Sequence, residues 1–500
     1  MPAAVVAWVV AAAALTPSHA LTGVHSYTGT GYDDGVYLGA SVRLLHGQLP
    51  YLDYDLLHPP AVVWLGLPFA ALGGLTDGSV GLAAIRILTV VVAGINVLLA
   101  GAVVRSGGRV AVFVTASLFA LMPTSYAASQ TLLLEPYVVG CALAGLALLG
   151  TRTGAISTRR RVLLAGALVG LAVAFKLFGL LIAVGVVLGL LPRWRVVRDW
   201  SLGVLVGFAV PTLPLALLAP SAFVHDVVVA QLGRGDRDRG ADLTDRLSVV
   251  LGLDVTPVAS GRATWVLAAV VLVALMGVVV RLRRHRLARM HVVAAVVAAV
   301  VLVGMVQQRQ FFDHYAYVVV ACLVLPVGLA VAALVDAVRD RWLPGRWLPV
   351  AVAATLVVAA GVLVPGAVGR AHDYTAQSAD PGPLVRTYVP HGSCVAADLT
   401  TTLLVADRLD GPRSCDVPVD PFGTWLTQND LQPPTSPPPY RSEFIGRWSA
   451  WLRTADYVVL SAEYSNFIPW TPELAAWFDR HYVLVGSEPS VFVYYRLPDD

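Results

Sequence analysis

Apolar residues run along this chain in blocks long enough to cross a bilayer, separated by short polar stretches rich in arginine. A span needs about 20 mostly apolar residues. Such blocks, some short and paired, occupy residues 3–20, 82–104, 110–127, 131–150, 162–175, 177–191, 201–219, 263–280, 290–306, 316–335 and 347–365. The arginines gather in five clusters. They are Arg105 to Arg109; Arg152 with Arg159, Arg160 and Arg161; Arg193, Arg195 and Arg198; Arg281 to Arg289; and Arg339, Arg341 and Arg346. Cytoplasmic loops collect Arg and Lys, so all five are placed inside. The chain then crosses an even number of times between clusters, and this parity gives eleven transmembrane helices. A further apolar block, 59–75, would invert every charged loop if it crossed. It reads as a short interfacial or re-entrant helix on the outer side. Residues 3–20 lack a basic flank and an obvious cleavage site, so they read as a first helix rather than a cleaved signal peptide.

The pattern changes after Arg370, where Pro, Asp, Tyr and Trp rise and no run is long enough to span. Short β-rich runs (Asp456 to Leu460, Tyr482 to Val485, Val491 to Tyr495) alternate with helical ones (Thr400 to Leu409, Ser442 to Leu452, Pro472 to His481). Leu431 to Tyr440 reads as an extended Pro-rich loop. The expected fold is a polytopic α-helical membrane protein with a small exoplasmic α/β C-terminal domain. Residues 1–365 form the transmembrane module, with a first exoplasmic loop at 22–81, and 366–500 the exoplasmic domain. The outer segment 220–262, with its mixed charges from Arg234 to Arg246, reads as a solvated loop.

Composition agrees with the pattern. Of 500 residues, 57% are hydrophobic and 13% charged, against about 25% charged in soluble proteins. With 35 basic and 32 acidic residues, no field draws a polyanion, and no nucleic-acid partner is expected. Cys141 and Cys322 lie in apolar runs and read as small fillers. Cys394 and Cys415 both fall in the exoplasmic domain, where oxidation is permitted. A bond between them would close a loop of about 20 residues and contribute on the order of 3 kcal/mol.

The candidate chemistry collects on the outer side. The first loop carries the adjacent acids Asp33 and Asp34, then the run Pro50-Tyr51 through Asp53 and Asp55 to His58-Pro59-Pro60. One carboxylate can serve as a general base while the other orients it. Asp34 equally fits the N-cap of a helix starting at Gly35, whose Val36, Tyr37, Ala40 and Leu44 would share an interfacial face. Glu135 stands beside Pro136 at the mouth of an apolar run, as a functional acid or a helix-start acid. Lys176, the sole lysine, interrupts an apolar run. It reads as a phosphate ligand or a snorkelling helix end. Arg309, Asp313, His314 and Tyr315 form a short outer link, either a phosphate site or a polar turn with a belt tyrosine.

These residues resemble the GT-C superfamily of membrane glycosyltransferases, and most nearly the protein O-mannosyltransferase and aminoarabinose transferase group (glycosyltransferase family 39 and relatives). The likeness rests on the acid pair after the first helix, the following helix and the Pro-Tyr…Asp…His-Pro-Pro run, and extends loosely to about residue 335. It implies a sugar donor linked to polyprenyl phosphate, used on the outer face of the cell membrane with inversion. Asp33 would be the base, Asp34 its partner and Glu135 a second acid. Lys176, Arg309 and His314 would hold the donor phosphate, with Tyr315 beside them and His58 a weaker ligand. The acceptor would be a glycan, lipid or protein hydroxyl, and membrane lipid surrounds the helices. The resemblance leaves a divalent cation open and requires no other cofactor. The competing reading is a polytopic transporter or lipid flippase. Transporters place their charges near the midplane of repeated halves, and no repeat is evident here.

Overall fold

The computed structural model describes residues 31–233, 242–256, 260–284, 287–339, 358–369, 380–412, 414–428, 441–465 and 467–498. The helix expected at 3–20, the Pro-rich run Leu431–Tyr440, Arg341, Arg346 and the stretches 234–241 and 347–357 lie outside the described residues. The chain divides into two compact units. One comprises Met1–Gly23, Leu88–Pro211 and Asp238–Asp373; the other comprises Val24–Ile87, Thr212–Arg237 and Tyr374–Asp500. The division falls within the Gly78–Val103 and Trp194–Ala216 helices.

The first unit is helical, because its sequence offers long apolar runs and few breakers. Among the described residues of the whole chain, five helices are long and apolar enough to cross a membrane: Gly78–Val103, Trp194–Ala216, Ala263–Arg283, Arg289–Val306 and Asp313–Arg339. Shorter apolar helices include Glu135–Leu149, Gly179–Leu190 and Val358–Gly369. Small residues set the closest packing. A Cβ on Gly166 would stand 2.3 Å from the Trp200 carbonyl, and one on Gly203 2.2 Å from that of Leu163. The helices Arg159–Phe175 and Trp194–Ala216 thus meet backbone to backbone, as small residues allow in lipid. Buried polar side chains tie some of these helices together. The amide of Asn96 donates to the Pro136 carbonyl (2.8 Å) and the Tyr317 hydroxyl (3.0 Å), tying three helices together. Part of the segment read as a solvated loop is helical. Asp242 caps the Leu243–Leu251 helix, and Arg246 on it donates to the Val306 carbonyl (2.9 Å) and that of Gln308.

The second unit carries a four-stranded sheet in the order β1-β2-β4-β3. The strands are β1 (Val395–Ala397), β2 (Tyr457–Leu460), β3 (Tyr482–Glu488) and β4 (Val491–Arg496). β1 pairs parallel with β2; β4 pairs antiparallel with both β2 and β3. The Ser442–Thr454 helix covers the sheet because Phe444, Trp448, Trp451 and Leu452 recur on one face. They join Trp425, Val458, Leu460, Phe478 and Tyr494 in one core. Cys394 and Cys415 are bonded, with Cα atoms 5.3 Å apart.

Two helices from the first loop belong to this unit, Tyr32–Leu45 and Ala61–Leu75. The Tyr32–Leu45 helix is not the half-exposed interfacial helix the sequence suggests. Asp34 through Ser41 are all buried. A Cβ on Gly35 would stand 2.2 Å from the Thr401 amide nitrogen, so only glycine admits that approach. On another side, the Ser41 hydroxyl donates to the Val63 carbonyl (3.0 Å).

Candidate functional site

Asp34 does not cap the helix. The helix begins at Tyr32, three residues before Gly35, and its N-cap is Gly31. The earlier start is held by partners far along the chain. The Tyr32 hydroxyl donates to Asp420 (2.6 Å) and accepts from the Phe422 amide (2.7 Å). The Thr401 hydroxyl accepts from the Gly35 amide (2.9 Å) and donates to the Gly31 carbonyl (2.5 Å). Asp34 therefore sits inside the first turn, wholly buried, with Oδ2 2.5 Å from Nη2 of Arg86. A carboxylate near a helix N-terminus is favoured by the dipole, and a charge-assisted bond to Arg adds to it. Asp33, one residue earlier, is only partly buried. The two acids differ in access because successive helical residues point about 100° apart.

Arg86 is the residue that sequence reasoning missed. It stands alone in the apolar run Leu82–Val103, as Lys176 stands alone in its own. The signal that singled out Lys176, a cation inside a hydrophobic block, applied to it equally.

His58 is buried in the same unit, its ring edge-on to Tyr37 with centroids 5.5 Å apart. The Tyr51 hydroxyl donates to its carbonyl (2.6 Å). Nearby in the chain, Asp55 pairs with Arg447 (3.0 Å), and the Leu56 amide donates to buried Asp226 (3.2 Å). Burial and the Asp55 carboxylate push the Asp226 carboxyl up to about 8, although the Leu56 amide and Arg447 pull the other way.

The helical unit assembles a second group. The Arg159–Phe175 helix ends at Lys176, whose backbone turns extended before the Gly179–Leu190 helix begins. Glu135 opens the Glu135–Leu149 helix, with Pro136 in its first turn. The break brings Lys176 Nζ to 2.7 Å from Glu135 Oε1. Lys176 Nζ also lies 4.5 Å from the Tyr315 ring centroid and 4.8 Å from that of Phe178. His314 Nε2 is 3.8 Å from the same Glu135 oxygen. Glu135 is fully buried, and its Oε2 has no hydrogen-bond partner among the described residues. Glu135, Lys176, His314 and Tyr315 thus come together from three segments. Arg309 is exposed; its carbonyl accepts from Arg246 (3.4 Å), and among the described residues its side chain forms no hydrogen bond or ion pair with this group. Among the described residues no cluster of three or more His, Cys, Asp or Glu side chains is placed to hold a metal ion.

The fold is the GT-C fold of membrane glycosyltransferases. The chain is similar in structure to ArnT from Cupriavidus metallidurans bound to undecaprenyl phosphate. The TM-score is 0.56 at 15% identity, covering 96% of this chain and 97% of that one. It is also similar to the oligosaccharyltransferase AglB from Archaeoglobus fulgidus in complex with an inhibitory peptide and a dolichol-phosphate. There the TM-score is 0.51 at 13% identity, covering 99% of this chain and 74% of that one. A search of curated proteins finds no match. The model of glycosyltransferase family 87 matches residues 56–307, half of the chain, and the chain belongs to that family. The GT-C placement made from the first loop stands, under family 87, and the choice between transferase and transporter falls to the transferase.

Proposed function

We propose that this glycosyltransferase takes its sugar from a polyprenyl-phosphate donor and transfers it, with inversion, to a hydroxyl of a cell-envelope glycan, lipid or protein. Eleven helices cross the plasma membrane in this reading. The first loop and residues 380–498 lie on the outer face, as the arginine distribution favours. The observation that carries the donor assignment is the buried Lys176–Glu135 pair with His314 beside it. A lone ammonium in an apolar setting is a strong partner for a phosphate. Glu135 holds it when no donor is bound, and the donor phosphate competes for it. His314 adds a second donor as charge grows on the departing phosphate. ArnT bound to undecaprenyl phosphate and AglB bound to a dolichol-phosphate are the same class of ligand on the same fold, which supports the reading.

Asp33 is the general base. It has the access that Asp34 lacks, and Asp34 with Arg86 fixes the turn on which Asp33 stands. Glu135 is the second acid; His58, Arg309 and Tyr315 are substrate-side residues.

The test compares the envelope glycans of cells carrying wild type, a deletion, Asp33→Asn and Lys176→Gln at equal protein level. Loss of one sugar in all three altered strains is expected, and that sugar names the donor. Wild-type glycans in the Asp33→Asn strain would remove Asp33 from the chemistry. Wild-type binding of undecaprenyl phosphate by purified Lys176→Gln protein would remove Lys176 from the donor site.

A further inference from the structure

A cation-lined hollow lies in the helical unit, built from residues other than the Lys176 group. It is an open groove of about 690 Å³, of the size usual for ligand sites. Its polar wall is Arg105, Arg152 and Arg161; its apolar wall is Leu99, Ala144 and Leu148. The three arginines come from separate segments. Arg105 follows the Gly78–Val103 helix, Arg152 follows Glu135–Leu149, and Arg161 lies in the first turn of Arg159–Phe175.

Their states differ. Arg105 is tethered: its Nη2 donates to the carbonyls of Ala147 (3.1 Å) and Gly150 (2.8 Å), closing the end of the Glu135–Leu149 helix. It thereby offsets the negative pole of that helix, which would otherwise repel an anion. Its Nε is buried without a hydrogen-bond partner among the described residues. Arg152 and Arg161 are exposed, and neither pairs with a carboxylate among the described residues. No acid lines the hollow. By contrast, Arg159, two residues before Arg161, engages Asp199, as does Arg198. Charge has been neutralised there and left open here.

We propose that this hollow holds the headgroup of an anionic phospholipid. The phosphate sits on Arg152 and Arg161, and the acyl chains lie along Leu99, Ala144 and Leu148. Guanidinium suits a phosphate diester because its N–H groups match two oxygens at once. All three arginines belong to the clusters assigned to the cytoplasmic side, where anionic lipids concentrate. An apolar wall meeting an open cationic wall fits an amphiphile better than a free anion. The site is distinct from the donor site, so its occupant adjusts stability and not the identity of the transferred sugar.

The test uses full-length protein in neutral detergent micelles. Phosphatidylglycerol is titrated in while the melting temperature is followed, and lipids that copurify are counted by native mass spectrometry. Wild type is expected to gain stability with phosphatidylglycerol and not with phosphatidylcholine or inorganic phosphate. In Arg152→Gln/Arg161→Gln the phosphatidylglycerol midpoint should move at least about tenfold higher, at roughly 1 kcal/mol per basic residue. Arg152→Lys/Arg161→Lys should recover part of the loss, which separates charge from folding. Three results would each overturn the proposal. They are equal midpoints for wild type and the Gln variant, an equal response to inorganic phosphate, and no response to phosphatidylglycerol at all.

Discussion

Asp33 and Asp34 are adjacent carboxylates in opposite settings, one partly exposed and one wholly buried, and replacing each by Asn separates the duties proposed for them. Asp34 is wholly buried with its charge 2.5 Å from Arg86, which is itself 1% exposed. Asn keeps the shape and removes the charge, taking the facing carboxylate away from a buried guanidinium. Breaking a buried pair in this way costs about 3–5 kcal/mol. A unit of this size loses roughly 2–4 °C of melting temperature per kcal/mol, so Asp34→Asn should melt roughly 6–20 °C lower in detergent. Asp34→Asn with Arg86→Met removes both charges and should lose less than the single change, since residues in contact couple by about 0.5–3 kcal/mol. Asp33 is partly exposed. Asp33→Asn should melt within about 2 °C of wild type while transfer falls roughly 10²–10⁴-fold, the usual worth of a general base. The assay pairs thermal melting of purified protein with glycan content of cells at matched expression. The reasoning fails if Asp34→Asn melts like wild type and loses as much transfer as Asp33→Asn. Asp34 would then be the reacting group, and its pairing with Arg86 would not hold the fold.

Three further outcomes follow from the geometry. The Asp226 carboxyl, raised to about 8, binds its proton more tightly in the folded protein than in the unfolded chain. Its contribution is therefore complete below about pH 4 and is lost as pH rises toward 8. Asp226→Asn should flatten the decline of melting temperature between pH 5 and 8, and an unchanged slope would assign the decline to other groups. Cys394→Ser with Cys415→Ser opens the bonded loop and should cost about 3 kcal/mol; a melting temperature equal to wild type in oxidising buffer would contradict this. Gly166→Val places side-chain atoms where a Cβ alone would stand 2.3 Å from the Trp200 carbonyl. About 1–3 kcal/mol of stability should be lost from such overpacking, and wild-type melting would show that the two helices can part without cost.

Much of the secondary structure was legible because it depends on neighbours in sequence. The apolar blocks at 162–175 and 177–191 became Arg159–Phe175 and Gly179–Leu190, with Lys176 at the break. The alternating run Val491 to Tyr495 became β4, and Pro472 to His481 formed the expected helix. Glu135 beside Pro136 opens its helix, as an acid and a proline at the first turn favour. Each of these follows from periodicity, end signals and length, which a linear reading contains.

Partnership was not legible, because it depends on which faces pack. Asp34 finds Arg86 across 52 residues, and Glu135 finds Lys176 across 41. The Gly35 amide finds the Thr401 hydroxyl across 366, which draws the helix start back to Tyr32 and turns a plausible cap into a buried ion pair. Asp226 meets the Leu56 amide across 170 residues. A charge in an apolar run announces that it needs a partner, since an unpaired one is costly there. Hydrophobic spacing says which side of a helix is buried, and only the packed chain decides what stands opposite.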